Sequence, residues 1–166
     1  APRGFLSTIS SAKNKMMSPS SFAKSAQGDV EEITSQVYKR YEQALLENES
    51  LDFDDLLLVT VRIFREYPGI LEKYQRQFRY VLVDEYQDTN NIQYQLISML
   101  SAKHRNLCVV GDDWQSIYAF RGAGSNSMDL IADKFGVDKH RMTITWRCGK
   151  KIVEKAQQFV PHIQAA

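Results

Sequence analysis

The sequence predicts an α/β fold in which a parallel sheet with helices follows an all-helical segment, on three observations. Two short apolar runs, YVLVD (80–84) and LCVVGD (107–112), each end in acids. Between them, NIQYQLISMLSA repeats its apolar residues at helical spacing over a length that suits a crossover between parallel strands. Residues 1–50, by contrast, carry few strand signals.

The elements follow in order. Pro19 and the cluster Ser18–Ser21 break a first helix. From Asp29 to Glu49 the apolar residues Val30, Ile33, Val37, Tyr41 and Leu45 recur at helical spacing between charged ones, which predicts a helix. LDFDDLLLVTVRIFREYP predicts another, with Asp52 as N-cap, acids in its first turn and Pro68 beyond its end. A further helix is expected from Gly69 to Gln77. The runs 80–84 and 107–112 then read as strands buried on both faces. RMTITW (141–146) is a third strand candidate and leads into the helical KKIVEKAQQFV.

Composition narrows the function. At 166 residues the chain is of one-domain size, and 21 Lys+Arg against 20 Asp+Glu predict neither nucleic acid nor membrane from global charge, so any anion site is local. Cys108 and Cys148 have no metal or disulfide spacing, which suits a reducing, cytoplasmic setting. No apolar run approaches the roughly 18 residues of a membrane span.

Ligands of parallel sheets collect at the carboxyl ends of strands, where this chain places Asp84-Glu85 and Asp112-Asp113. Such a site can give Asp84 to magnesium and Glu85 to an attacking water as general base. A solvated pair of acids ending a strand accounts for VLVDE equally well. A phosphate-gripping G-x-x-x-x-G-K-[ST] loop is absent from the 166 residues, so the acids read either as half of a nucleotide site or as a pair serving something other than hydrolysis.

VVGDDWQSIYAFRGAG (109–124) adds Gln115, long enough to sense a phosphate, and Tyr118, Phe120 and Arg121. Aromatics interleaved with arginine suit stacking on single-stranded bases, worth roughly 1–3 kcal/mol per base. The alternative makes Tyr118 and Phe120 core residues of a short helix. In TWRCGKK (145–151), Arg147 can act as an arginine finger, and on its own the segment reads more simply as a basic turn before a surface helix.

Taken together and in this order, these segments resemble the UvrD/Rep/PcrA-like superfamily 1 DNA helicases. VDEYQDTN (83–90) is similar to the family's Walker B motif II, VGDDWQSIYAFRGA (110–123) to motif III, and TWRCGKKIV (145–153) to the start of motif IV. FLSTISSAKN (5–14) and LDFDDLL (51–57) also match phrases of that family.

The resemblance implies an incomplete RecA-like (P-loop NTPase) sheet within an ATP-dependent 3′–5′ helicase of DNA repair or replication, acting on single strands and on single/double-strand junctions. It assigns Asp84 and Glu85 to Mg2+, with Glu85 also activating water. Gln115 would couple the ATP γ-phosphate to DNA, and Tyr118, Phe120 and Arg121 would lie along the single strand. Arg147 would be the finger, with Trp146 packing on adenine. Thr145-Trp146-Arg147-Cys148 replaces the usual Asn-Tyr-Arg-Ser, and Phe120 replaces a tryptophan.

In the same terms, residues 1–50 would end a helical subdomain, 51–138 would form the latter part of the first motor domain, and 139–166 would open the second. The remainder of the helicase would supply the Walker A loop, and this segment alone would be inactive. A non-catalytic module derived from a helicase, binding DNA or protein, is the alternative, and a repair-complex subunit sharing the motor is a third.

Overall fold

The computed structural model describes residues 2–112, 115, 127–137, 139–159, 161 and 163–165. The fold is mixed α/β, mostly helical, with two small parallel sheets among the described residues. The chain forms two compact units, Ala1–Ile131 and Ala132–Ala166.

In the first unit, α1 (Pro2–Asn14) ends before a turn, and α2 (Pro19–Ser25) restarts with Ser18 as N-cap and Pro19 at a position that needs no N–H. The break expected at Pro19 is therefore a helix start. α3 (Asp29–Glu47) lies along both, and Ile9, Ala12, Phe22 and Tyr38 form their common core. The Phe22 and Tyr38 rings meet edge to face, 6.2 Å apart.

α3 confirms the helix expected there, and its most deeply buried residues lie beside the apolar stripe. Thr34 and Tyr38 are buried, whereas Val30 is 74 % exposed and Ile33 and Val37 also face outward. The inward Tyr38 ring is anchored by its hydroxyl, which donates to the Met17 carbonyl at 2.9 Å in the turn after α1.

α4 (Phe53–Glu66) starts in a reciprocal capping box. Asp52 accepts from the Asp55 N–H at 2.8 Å, and Asp55 accepts from the Asp52 N–H at 3.2 Å. Its inner face places Leu58 and Val61 against Ile92 of α6 (Asn91–Ser101), flanked by Met16, Leu57, Leu96 and Met99. Each such side chain contributes roughly 1.5–3 kcal/mol on burial. Pro68 both ends α4 and opens α5 (Pro68–Gln77), whose Gln75 donates to the Met99 carbonyl at 2.7 Å.

β1 (Val81–Val83) and β2 (Leu107–Val109) pair in parallel, Val81 opposite Leu107 and Val83 opposite Val109, with α6 as the crossover. They are not buried on both faces as predicted. Leu82 is 76 % exposed and Cys108 is exposed, because in this two-stranded sheet one face meets α6 while the alternate side chains point away from it.

α7 (Ser127–Phe135), not among the expected elements, leads into the second unit. There the strand expected at 141–146 shortens to β3 (Ile144–Thr145), paired in parallel with β4 (Gln164–Ala165). α8 (Lys150–Ala156) connects them with Val153 buried beneath it, and Gln157 donates to the Ile163 carbonyl at 2.7 Å.

Candidate nucleotide-hydrolysis site

Beyond the carboxyl end of β1 the backbone remains tied to β2. The Val110 N–H donates to the Val83 carbonyl at 2.8 Å, and the Tyr86 N–H donates back to the Val110 carbonyl at 2.9 Å. Between those two bonds lie Asp84 and Glu85, both exposed. The apolar ladder therefore delivers the two carboxylates to the strand-end position where parallel sheets present ligands.

Local geometry fixes both acids. Asp84 Oδ1 accepts from the Glu85 N–H at 2.9 Å. Glu85 itself adopts a left-handed backbone, φ 50° and ψ 42°, at the entry to a single 3₁₀ turn over Tyr86–Asp88. That conformation is uncommon for a residue with a side chain, and here it falls on the candidate base.

Tyr86 and Gln87 point inward. Burial, with a smaller contribution from neighbouring Tyr94, pushes the Tyr86 hydroxyl up to about 12. Gln87, 2 % exposed, donates from Nε2 to Glu85 Oε2 at 2.6 Å and accepts the Asp112 N–H on Oε1 at 2.9 Å.

At the end of β2, Gln115 donates from Nε2 to Asp112 Oδ2 at 2.8 Å and from its backbone to the Asp112 carbonyl at 2.9 Å. The structure thus brings Asp84, Glu85 and Gln115 into one hydrogen-bonded neighbourhood, with Gln87 and Asp112 as the intermediates. Trp146, 86 % exposed, and Arg147 sit on the second unit after β3, where the Arg147 N–H reaches Thr145 Oγ1 at 3.4 Å. Tyr118, Phe120 and Arg121 lie outside the described residues, as does Asp113.

A model of the UvrD/REP helicase N-terminal domain matches residues 3–136. The chain belongs to the UvrD/REP helicase family. It is 44 % identical over 160 residues to the protein named ATP-dependent DNA helicase PcrA of Bacillus subtilis (strain 168), covering 96 % of this chain and 22 % of that relative. The like-named protein of Staphylococcus aureus (strain Mu50 / ATCC 700699) is 48 % identical over 160 residues, with the same coverage. That of Leuconostoc citreum is 40 % identical over 163 residues, covering 97 % of this chain and 22 % of the relative. The chain thus spans about a fifth of the length of these relatives.

In this UvrD/REP helicase segment the donor chemistry fits magnesium. That ion is held through one or two carboxylates with substrate phosphates and water completing its shell, and Asp84 and Glu85 offer two carboxylates.

Sequence reasoning missed a second feature of the helicase segment. Lys13, fully buried, donates to Asp52 Oδ2 at 2.8 Å and Asp55 Oδ1 at 2.7 Å and pairs with Glu42 at 2.7 Å, with its ammonium 5.3 Å from the Tyr41 ring centroid. Burial alone would lower its pKa, but the hydrogen bonds to Asp52, Asp55 and Glu42 outweigh that and raise it above the ordinary lysine value.

Asn14 next to it donates to Asp54 Oδ1 at 3.0 Å and accepts from Asn90 Nδ2 at 2.5 Å. Asn90 also caps α6. AKN of α1, DFDD of α4 and QDTN after the acidic pair are therefore joined side chain to side chain. The available signal was a lysine and asparagine in a helix otherwise rich in small residues, and an acidic run elsewhere to receive them.

Proposed function

We infer that this segment supplies the metal-holding and water-activating half of the ATP site of a DNA helicase that translocates 3′ to 5′ on single strands. The observation that carries the reading is the strand-end pair Asp84-Glu85, tied through Gln87 and Asp112 to Gln115, in a member of the UvrD/REP helicase family. Asp84 takes the metal and Glu85 accepts the proton of the attacking water. Magnesium, when bound, supplies charge neutralisation at the transferred phosphoryl group.

Gln115 reports nucleotide state to DNA, Tyr118, Phe120 and Arg121 line the single strand, and Arg147 and Trp146 serve ATP from the second motor domain. On this reading residues 1–50 end the inserted helical subdomain, 51–138 belong to the first RecA-like domain and 139–166 open the second. The 166 residues include no Walker A loop, so phosphate gripping comes from elsewhere and the isolated segment does not hydrolyse ATP.

The test is Glu85→Gln in a full-length helicase carrying this segment. The amide keeps size and hydrogen bonding but accepts no proton from water, so DNA-stimulated hydrolysis falls about 10²–10⁴-fold. ATP affinity, measured by titration, stays within about threefold. A variant that hydrolyses ATP at the parent rate overturns the assignment.

A further inference from the structure

We propose that Gln87 is a positioning residue that makes the orientation of Glu85 depend on the loop carrying Gln115. This rests on the reading of Glu85 as general base. The polarity of the Gln87 amide is dictated by its partners: a backbone N–H can only donate and a carboxylate only accept, so Oε1 faces Asp112 and Nε2 faces Glu85. Neither end can be exchanged for water, because the side chain is buried. An unmade bond at either end would leave a desolvated polar group.

The contact is built for closeness. A Cβ placed on Gly111 would lie 2.7 Å from Gln87 Oε1 and 3.2 Å from the backbone nitrogens of Tyr86 and Gln87, so an added side chain here would crowd the amide at the join of the two strand ends. The Gln87 bond holds Oε2 of Glu85 and leaves its other oxygen to take a proton from water. Glu85 is exposed on a left-handed backbone, and that single bond to a rigid amide removes rotamer freedom its long side chain would otherwise keep.

Asp112 closes the link, since its N–H serves Gln87 while its carbonyl and carboxylate serve Gln115. Movement of Gln115 therefore pulls on Asp112, and through the Asp112 N–H on the amide that holds Glu85. A displacement of about 1 Å at a catalytic group is enough to change a rate about 10²-fold.

Gln87→Met keeps the volume and removes both bonds. In a full-length helicase carrying this segment, amide hydrogen exchange at Asp112 is expected to accelerate about tenfold or more, while exchange at Val110, whose N–H is held by Val83, stays as it was. In the full-length helicase, kcat for DNA-stimulated hydrolysis falls about 10–100-fold with KM for ATP within about twofold. Adding Gln115→Ala to Gln87→Met then costs much less than Gln115→Ala costs alone.

If Gln87→Met disturbs folding, Gln87→Asn carries the same test, since the shorter amide spans only one of the two partners. Unchanged Asp112 exchange, or additive effects of the Gln87 and Gln115 substitutions, overturns the coupling. Glu85→Gln in parallel separates the two failures. If it still hydrolyses ATP, the site reading fails and the role of Gln87 with it; if it is dead while Gln87 variants match the parent, the positioning role alone fails.

Discussion

Gly111 shows how a single missing side chain can shape a site. No unusual φ requires glycine there, and the constraint is space, because two of the three nearest atoms to an added Cβ are backbone nitrogens of Tyr86 and Gln87. The third is Gln87 Oε1, the acceptor for Asp112. Gly111→Ala is therefore expected to displace the Gln87 amide, since a side-chain atom gives way more readily than backbone. The overpacking costs about 1–3 kcal/mol, read from the denaturant midpoint at unchanged m. Wild-type stability in Gly111→Ala would mean the strand ends separate without strain.

At the scale of elements, the N-terminal helices are fastened to α4 by charge buried among apolar groups. The capping carboxylates use one oxygen each to start the helix and the other to hold Lys13, so cap and cross-link are one structure. Burial by itself would raise Asp52, but hydrogen bonds from Lys13, the Asp55 N–H and Tyr41 hold its carboxyl below the usual range.

Lys13→Met leaves Glu42, Asp52 and Asp55 facing one another without a cation, and is expected to cost about 3–5 kcal/mol, because breaking a buried pair strands its partners. Asp52→Asn in the same background should recover part of that loss in thermal melts, by removing one stranded charge. An additive double variant would show that the cluster acts through something other than charge. The Asp52 cap was legible in the sequence because capping is local, three residues from donor to acceptor. The Lys13 cross-link and the anchoring of Tyr38 on α3 were not, since each depends on a partner far along the chain: Asp52 and Asp55 for Lys13, and the Met17 carbonyl for Tyr38. The strand ends were legible as apolar runs closing in acids, but Gln87 was not, because an amide inside a motif declares no partner until the fold brings Asp112 to it.

Near neutral pH the charges nearly cancel across the chain, so between about pH 5 and 9 pH acts through a few local groups rather than through net repulsion. On the acid side, Asp52 is lowered and Glu72, paired with Lys103 and Arg76, is lowered to about 2. A depressed carboxyl contributes stability that is present above its unfolded value near 4 and is lost as pH falls through the folded value. On the alkaline side, Lys13 is raised, and burial followed by the charge of Glu42 pushes Tyr38 up to about 12, as burial does for Tyr86. A raised group stabilises below its unfolded value near 10 and loses that contribution as pH climbs through the folded one. Melting temperature is therefore expected to be flat from about pH 5 to 9 and to fall on both sides. Salt separates the contributions: the Glu72 pairs are exposed and screened at about 0.5 M salt, whereas the Lys13 cluster is buried and is not. The Glu72 share of the acid limb should then shift with salt, and Glu72→Gln should reduce that shift while leaving the alkaline fall in place. A salt-dependent alkaline limb would place the decisive charges on the surface instead of around Lys13.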